Sequence, residues 1–134
     1  MGSTPSSTFA FTKLVVADLE KMAEFYCAAY GLRQIARVQA EIGEDRIDEI
    51  MLGAGPEMTL GSLVLLRFVD LPPPRCREAL LGFTTDDLPA LIGRVCAAGG
   101  AAHAPPKEMP EMKLRVAFVT DPEGHLAELV QLLG

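Results

Sequence analysis

Phe11-Thr12-Lys13-Leu14-Val15-Val16-Ala17-Asp18-Leu19 and Leu80-Leu81-Gly82-Phe83-Thr84-Thr85-Asp86-Asp87-Leu88 follow one pattern written twice, 69 residues apart. Each copy begins as a strand-like run and reaches an aspartate, Asp18 or Asp87. That carboxylate can accept from the orphan N–H groups of a helix that follows it. After Asp18, the residues Leu19, Met22, Ala23, Tyr26, Ala29 and Tyr30 recur at helical spacing; after Asp87, Leu88, Leu91, Ile92, Val95 and Cys96 do the same. Glycine is expected to end both helices, at Gly31 and at Gly100. Pro89 falls in the first turn of the second helix, where its missing N–H breaks no bond.

Extended segments follow each helix. In the first half they are Gln34–Gln39, Ile47–Leu52 and Ser62–Val69. In the second they are a short run near Ala101, then Lys113–Val119 and Ala127–Leu132. Gly53-Ala54-Gly55-Pro56 reads as a turn between strands. Leu71-Pro72-Pro73-Pro74-Arg75 reads as a stiff break. Ala104-Pro105-Pro106-Lys107 through Pro110 is expected to be a loop, being too rich in proline for a sheet centre. The pattern predicts an α+β domain of two tandem βαβββ modules whose concave sheet faces line a cleft. Module one spans residues 9–70, a linker 71–77 and module two 78–134, behind a disordered leader at 1–8.

The 134 residues suit one domain with its own core. An apolar content of 49% beside 22% charged residues is that of a folded globule. The net charge of −6 offers no basic surface to phosphates, which argues against nucleic acid as a partner. No run approaches the roughly 20 apolar residues that span a bilayer, so no membrane partner is expected. Met1 to Thr8 lacks the apolar region of a signal peptide; Gly2 with Ser6 fits the loose N-myristoylation pattern, and a disordered leader is the preferred reading. Three cysteines, Cys27, Cys76 and Cys96, with no CxxC spacing, point to reduced thiols and a cytoplasmic setting.

Asp18-Leu19-Glu20-Lys21 with Phe25-Tyr26 and Tyr30-Gly31-Leu32 resembles the first-module signature of the vicinal-oxygen-chelate superfamily, the glyoxalase/bleomycin-resistance/dioxygenase-like proteins. Asp121-Pro122-Glu123-Gly124-His125-Leu126-Ala127-Glu128-Leu129 resembles the hairpin and last strand of its second module, and Gly53-Ala54-Gly55-Pro56-Glu57 is similar to a turn in bacterial glyoxalase I. The resemblance covers nearly all of the chain after about residue 9. It implies a glyoxalase-like fold and a homodimer. In the metal-dependent members it also implies four His, Gln or Glu ligands, on the first and last strand of each module. Carried onto this chain, those positions fall on Phe11, Leu65, Leu80 and Glu128. A one-residue slip would offer Thr12, Leu66 or Leu81, which restore nothing. One carboxylate does not hold a divalent ion, so no metal and no other cofactor is expected. His103 and His125 read as loop histidines.

Strand alternation selects the expected cleft wall: Phe11, Lys13, Leu63, Leu65 and Arg67 from module one, and Leu80, Gly82, Thr84, Leu126, Glu128 and Val130 from module two. Arg67 and Glu128 are the sharpest pair, either facing a ligand or satisfying each other. Asp48, Glu49 and Arg115 are expected at the surface or rim. The reading that follows is a metal-independent protein that binds a small, partly apolar molecule, as bleomycin-resistance members sequester drugs. The alternatives are a cofactor-independent isomerase or lyase with Glu128 as general base, or a noncanonical glyoxalase-type metalloenzyme.

Overall fold

The computed structural model describes residues 7–72, 75 and 78–134. The expected leader therefore falls mostly outside the described residues, as do Pro73, Pro74 and Cys76. Module one runs β1 (Phe11–Val15), α1 (Leu19–Tyr30), β2 (Arg33–Ile42), β3 (Asp45–Gly53) and β4 (Ser62–Phe68). Module two runs β5 (Leu81–Thr85), α2 (Leu88–Ala97), β6 (Ala101–Met109), a short 3-10 turn (Pro110–Met112), β7 (Leu114–Thr120) and β8 (Leu126–Leu132). The sheets have the orders β1-β4-β3-β2 and β5-β8-β7-β6, so each module repeats the other's βαβββ topology. In each, the first and last strands pair in parallel and the others antiparallel.

Both predicted caps form. The Asp18 carboxylate accepts from the Lys21 amide and that of Asp87 from the Ala90 amide, each at 3.1 Å. Gly31 ends α1 in the left-handed region, with φ 69°. The second helix ends differently from the expectation: Ala98 is its cap. Gly100 serves a different need, because a Cβ there would collide with the Thr120 carbonyl. Cys96, expected in the apolar stripe of α2, is exposed.

One core joins the modules. Leu14, Ile50, Leu52, Leu63 and Leu65 from the first sheet, with Val16 just after β1, meet Ala117, Val119, Ala127 and Leu129 from the second, around Leu19, Met22, Tyr26, Leu88, Leu91 and Val95 of the helices. Tyr30 of α1 stacks on Phe83 of β5 with ring centroids 3.8 Å apart.

One proline-rich segment is a strand. Residues 104–109, expected as a loop, belong to β6, with register shifts at Ala102/Ala104 and Ala104/Lys107. The strand pairs only with β7, at the edge of the sheet, where a missing N–H costs no ladder bond.

Candidate functional site

Strand registers fix which side chains share a face. In module one, Leu14 and Leu65 are register partners and both lie in the core under α1. Phe11, Lys13, Val64, Leu66 and Glu49 therefore occupy the opposite, concave face. Lys13 donates from Nζ to Glu49 Oε2 at 2.9 Å, and Glu49 is only 5% exposed. Asp48, on the helix side, takes a two-pronged contact from Arg37, Nε to Oδ1 at 3.1 Å and Nη2 to Oδ2 at 2.7 Å. That guanidinium holds the Asp48 carboxyl below its usual range, against the upward pull of burial. Neither acid is the rim charge expected from sequence; both are buried.

Module two presents Gly82, Thr84, Glu128, Val130, Val116 and Phe118 on its concave face, opposite Ala127 and Leu129 of the core. A cavity of about 420 Å3 opens there, walled by Ala104, Pro105, Met109, Met112, Leu114, Val116 and Phe118, with Lys107 and Glu128 as its charged groups. The Glu128 carboxylate has no hydrogen-bond or ion-pair partner among the described residues.

A polar cluster ties the β7–β8 turn to α1. The Tyr26 hydroxyl donates to Asp121 Oδ2 at 2.7 Å, and the amides of Glu123 and His125 donate to Asp121 Oδ1 at 2.9 Å each. His125 Nδ1 lies 2.8 Å from Asp121 Oδ2. Burial pushes the Asp121 carboxyl up, but the bonds from His125 and Tyr26 outweigh it and leave it below its ordinary value. The Asp121 bond raises the His125 imidazole above its ordinary value, against burial. Burial first, and then the Asp121 charge, push the Tyr26 hydroxyl strongly upward. The Glu123 carboxylate accepts from the amides of Ala17 and Asp18, at 2.9 and 2.7 Å.

The expected wall is thus divided. Phe11 and Lys13 lie on the concave face of sheet one, and Glu128, Thr84 and Val130 on that of sheet two, but the cavity gathers only Glu128 from the expected set. Leu80 precedes β5 and is 48% exposed; Phe11 is 45% exposed. Three residues of the expected wall lie on the other face of β4. Leu63 and Leu65 are buried in the core beneath α1, and Arg67 shares their face, paired in register with Asp48. Arg67 therefore does not face Glu128. The cause is the run Leu63-Val64-Leu65-Leu66, apolar on both faces, whose alternation carries no phase. His125, read as a loop histidine, is buried; only the tight Asp-Pro-Glu-Gly-His spacing could have signalled it.

In a metal-dependent member of the resembled family the four carried-over positions would all bear donor side chains. Phe11 and Leu80 carry no donor atom, and neither Leu65 nor the concave Leu66 supplies one. Among the described residues no group of three or more His, Cys, Asp or Glu is arranged to hold an ion. The donor set does not fit a divalent metal.

Comparison with known families places residues 8–129 within the model of the glyoxalase/bleomycin resistance protein/dioxygenase superfamily. The chain belongs to that superfamily. A probable lactoylglutathione lyase of Vibrio cholerae is 29% identical over 124 residues, covering 90% of this chain and 87% of that protein. A lactoylglutathione lyase of Arabidopsis thaliana is 29% identical over 119 residues, covering 87% of this chain and 41% of that protein. The chain thus spans about two fifths of the plant relative. Among solved structures, a glyoxalase family protein from Bacillus cereus superposes with a TM-score of 0.78 at 19% identity, over 100% of this chain and 99% of that one. A glyoxalase I variant from Zea mays gives 0.75 at 24% identity, over 91% and 45%. At these identities the superpositions speak for the superfamily fold alone. No helix among the described residues is long and apolar enough to cross a membrane.

Proposed function

We propose that this superfamily member binds a small, partly apolar molecule in the module-two cavity, without a metal and as sequestration, in the manner the bleomycin-resistance members suggest. The observation that carries the reading is Glu128, a carboxylate with no hydrogen-bond or ion-pair partner among the described residues, in a cup walled by Met109, Met112, Leu114, Val116 and Phe118 with Lys107 as its other charged group. A volume of about 420 Å3 falls in the range of small-molecule sites. The two methionines adapt to an irregular apolar body, and a carboxylate in an apolar wall favours a cationic or hydrogen-bond-donating end. The acidic chain of net charge −6 favours the same ligands. The cup's rim carries exposed Met112, and the concave faces carry exposed Phe11 and Leu80. A homodimer in the cytoplasm would cover them with a second copy.

A second reading rests on the Vibrio cholerae relative, called a probable lactoylglutathione lyase and matched over most of its length. In it Glu128, which has no ion-pair partner among the described residues, takes the proton from a hydroxyl-bearing carbon beside a carbonyl and returns it to the carbonyl carbon, while the hydroxyl proton passes to the former carbonyl oxygen. No ion takes part in that step.

Calorimetric titration of wild type and Glu128→Gln with benzylamine, in chelator, tests the binding reading. Saturable binding that weakens about tenfold in Glu128→Gln, the loss of one charge-assisted contact, supports it. Benzylamine recovered unchanged supports sequestration. Formation or loss of lactoylglutathione that vanishes in Glu128→Gln supports the second reading instead.

A further inference from the structure

The Glu128 cup has a second charged wall residue, Lys107, that neither proposed function engages. Strand register fixes its face. Lys107 pairs with Val116 of β7, and Val116 pairs in turn with Val130 of β8. Register partners in an antiparallel ladder point to the same side of the sheet, so Lys107 shares the concave face with Val116, Phe118 and Glu128. Lys107 is exposed and Glu128 half-buried, so a ligand entering the cup meets both heads without any rearrangement of the strands.

No other group neutralises the ammonium. Lys107 has no hydrogen-bond or ion-pair partner among the described residues, and neither has Glu128. The adjacent acid, Glu108, lies with its register partner Arg115 on the opposite face, where the two meet at 2.9 Å. Module one shows what such a pair can do instead. Lys13 and Glu49 also stand with one strand between them, and they close on each other at 2.9 Å. In module two the corresponding charges stay apart. Strands two places apart in a sheet are separated by about 10 Å, and Val116 and Phe118 of β7 form an apolar floor across that span. The cavity of about 420 Å3 therefore has a cation at one side, an anion at the other and an apolar middle.

We propose that the cup selects a zwitterion: a small molecule whose cationic end meets Glu128, whose anionic end meets Lys107, and whose apolar body lies over Val116 and Phe118. This rests on the reading that the cup binds through Glu128, and it names the class of ligand that reading leaves open. The carboxylate alone would accept any amine of suitable bulk. Lys107 adds a charge-assisted contact that only a ligand with a carboxylate or similar anion can use.

Two probes that differ by one carboxylate test it: benzylamine and 4-(aminomethyl)benzoate, titrated calorimetrically into the full chain in chelator. Wild type should bind the zwitterion about tenfold more tightly than the amine, the gain of one charge-assisted contact. Lys107→Gln should abolish that advantage, and Lys107→Arg should keep most of it. Lys107 is exposed on an edge strand, so neither substitution endangers the fold. Wild type that binds both probes equally, or prefers the amine, overturns the inference while leaving the Glu128 reading in place; this is the result if Lys107 closes on Glu128 as Lys13 does on Glu49. A preference that survives Lys107→Gln overturns it as well, because the probe's carboxylate then lies elsewhere. Absence of benzylamine binding removes the Glu128 reading and this inference together.

Discussion

The two modules share a topology and differ in what they do with an inward acid. In module one the concave carboxylate, Glu49, is buried and engaged by Lys13 from the neighbouring edge of the sheet. In module two the concave carboxylate, Glu128, has no partner among the described residues and stands at the wall of a largely apolar cup. Duplication repeated the scaffold, with capped helices at Asp18 and Asp87 and equivalent core leucines at Leu65 and Leu129, but not the site. A charged pair occupies one face, while the carboxylate on the other stands in an apolar cup with Lys107 as the second charged group of its wall.

The largest expected effect probes where the modules are alike. Leu65→Ala and Leu129→Ala each empty a fully buried position on the last strand of their module, and each should cost about 2–5 kcal/mol in denaturant unfolding. A loss confined to one of them would break the symmetry of the core. Next comes the seam. Tyr26→Phe removes a buried donor to Asp121 and should cost about 1–3 kcal/mol. A neutral result would mean that the α1 contact to the β7–β8 turn does not tie the modules together.

The contrast itself is sharpened by removing one charge from each face. Glu49→Gln strips the partner of Lys13, whose side chain is 35% exposed, so solvent screening limits the loss to about 1 kcal/mol or less. Glu128→Gln should leave stability unchanged within about 0.5 kcal/mol and affect ligand binding only. The reverse pattern would contradict the assignment of roles.

The smallest effect is a pH dependence. His125 is raised in the fold, so the native state holds its proton more tightly than the unfolded chain. Its contribution is complete below the unfolded value of about 6.5 and fades as pH rises through the folded one. Thermal melts should show a decline over that window that flattens in His125→Gln. Asp121, lowered in the fold, acts oppositely, and its contribution is lost only as acid brings the pH down through its folded value.

The duplication made much of this legible before any coordinates. The Asp18 and Asp87 caps, the module order and Glu128 on the concave face follow from local patterns that repeat. The phase of β4 is not legible, because Leu63 to Leu66 is apolar on both faces, and so Leu63, Leu65 and Arg67 are expected on the concave face but lie on the other. The adjacent pair Asp48-Glu49 held an unused signal: in a strand, one of two consecutive acids must point inward. The environment of His125 depends on Tyr26, 99 positions away, a separation that no local pattern spans. The prolines of β6 misled because pairing at a sheet edge asks less of the backbone than pairing at its centre.

The central claim is that the module-two cup binds through Glu128 without a metal. Calorimetry of benzylamine with chelator-treated wild type and Glu128→Gln, metal content being measured on the same samples, tests it most directly. The account predicts saturable binding by metal-free wild type and about tenfold weaker binding by Glu128→Gln. Binding that disappears with the chelator and returns only with a divalent ion would contradict it.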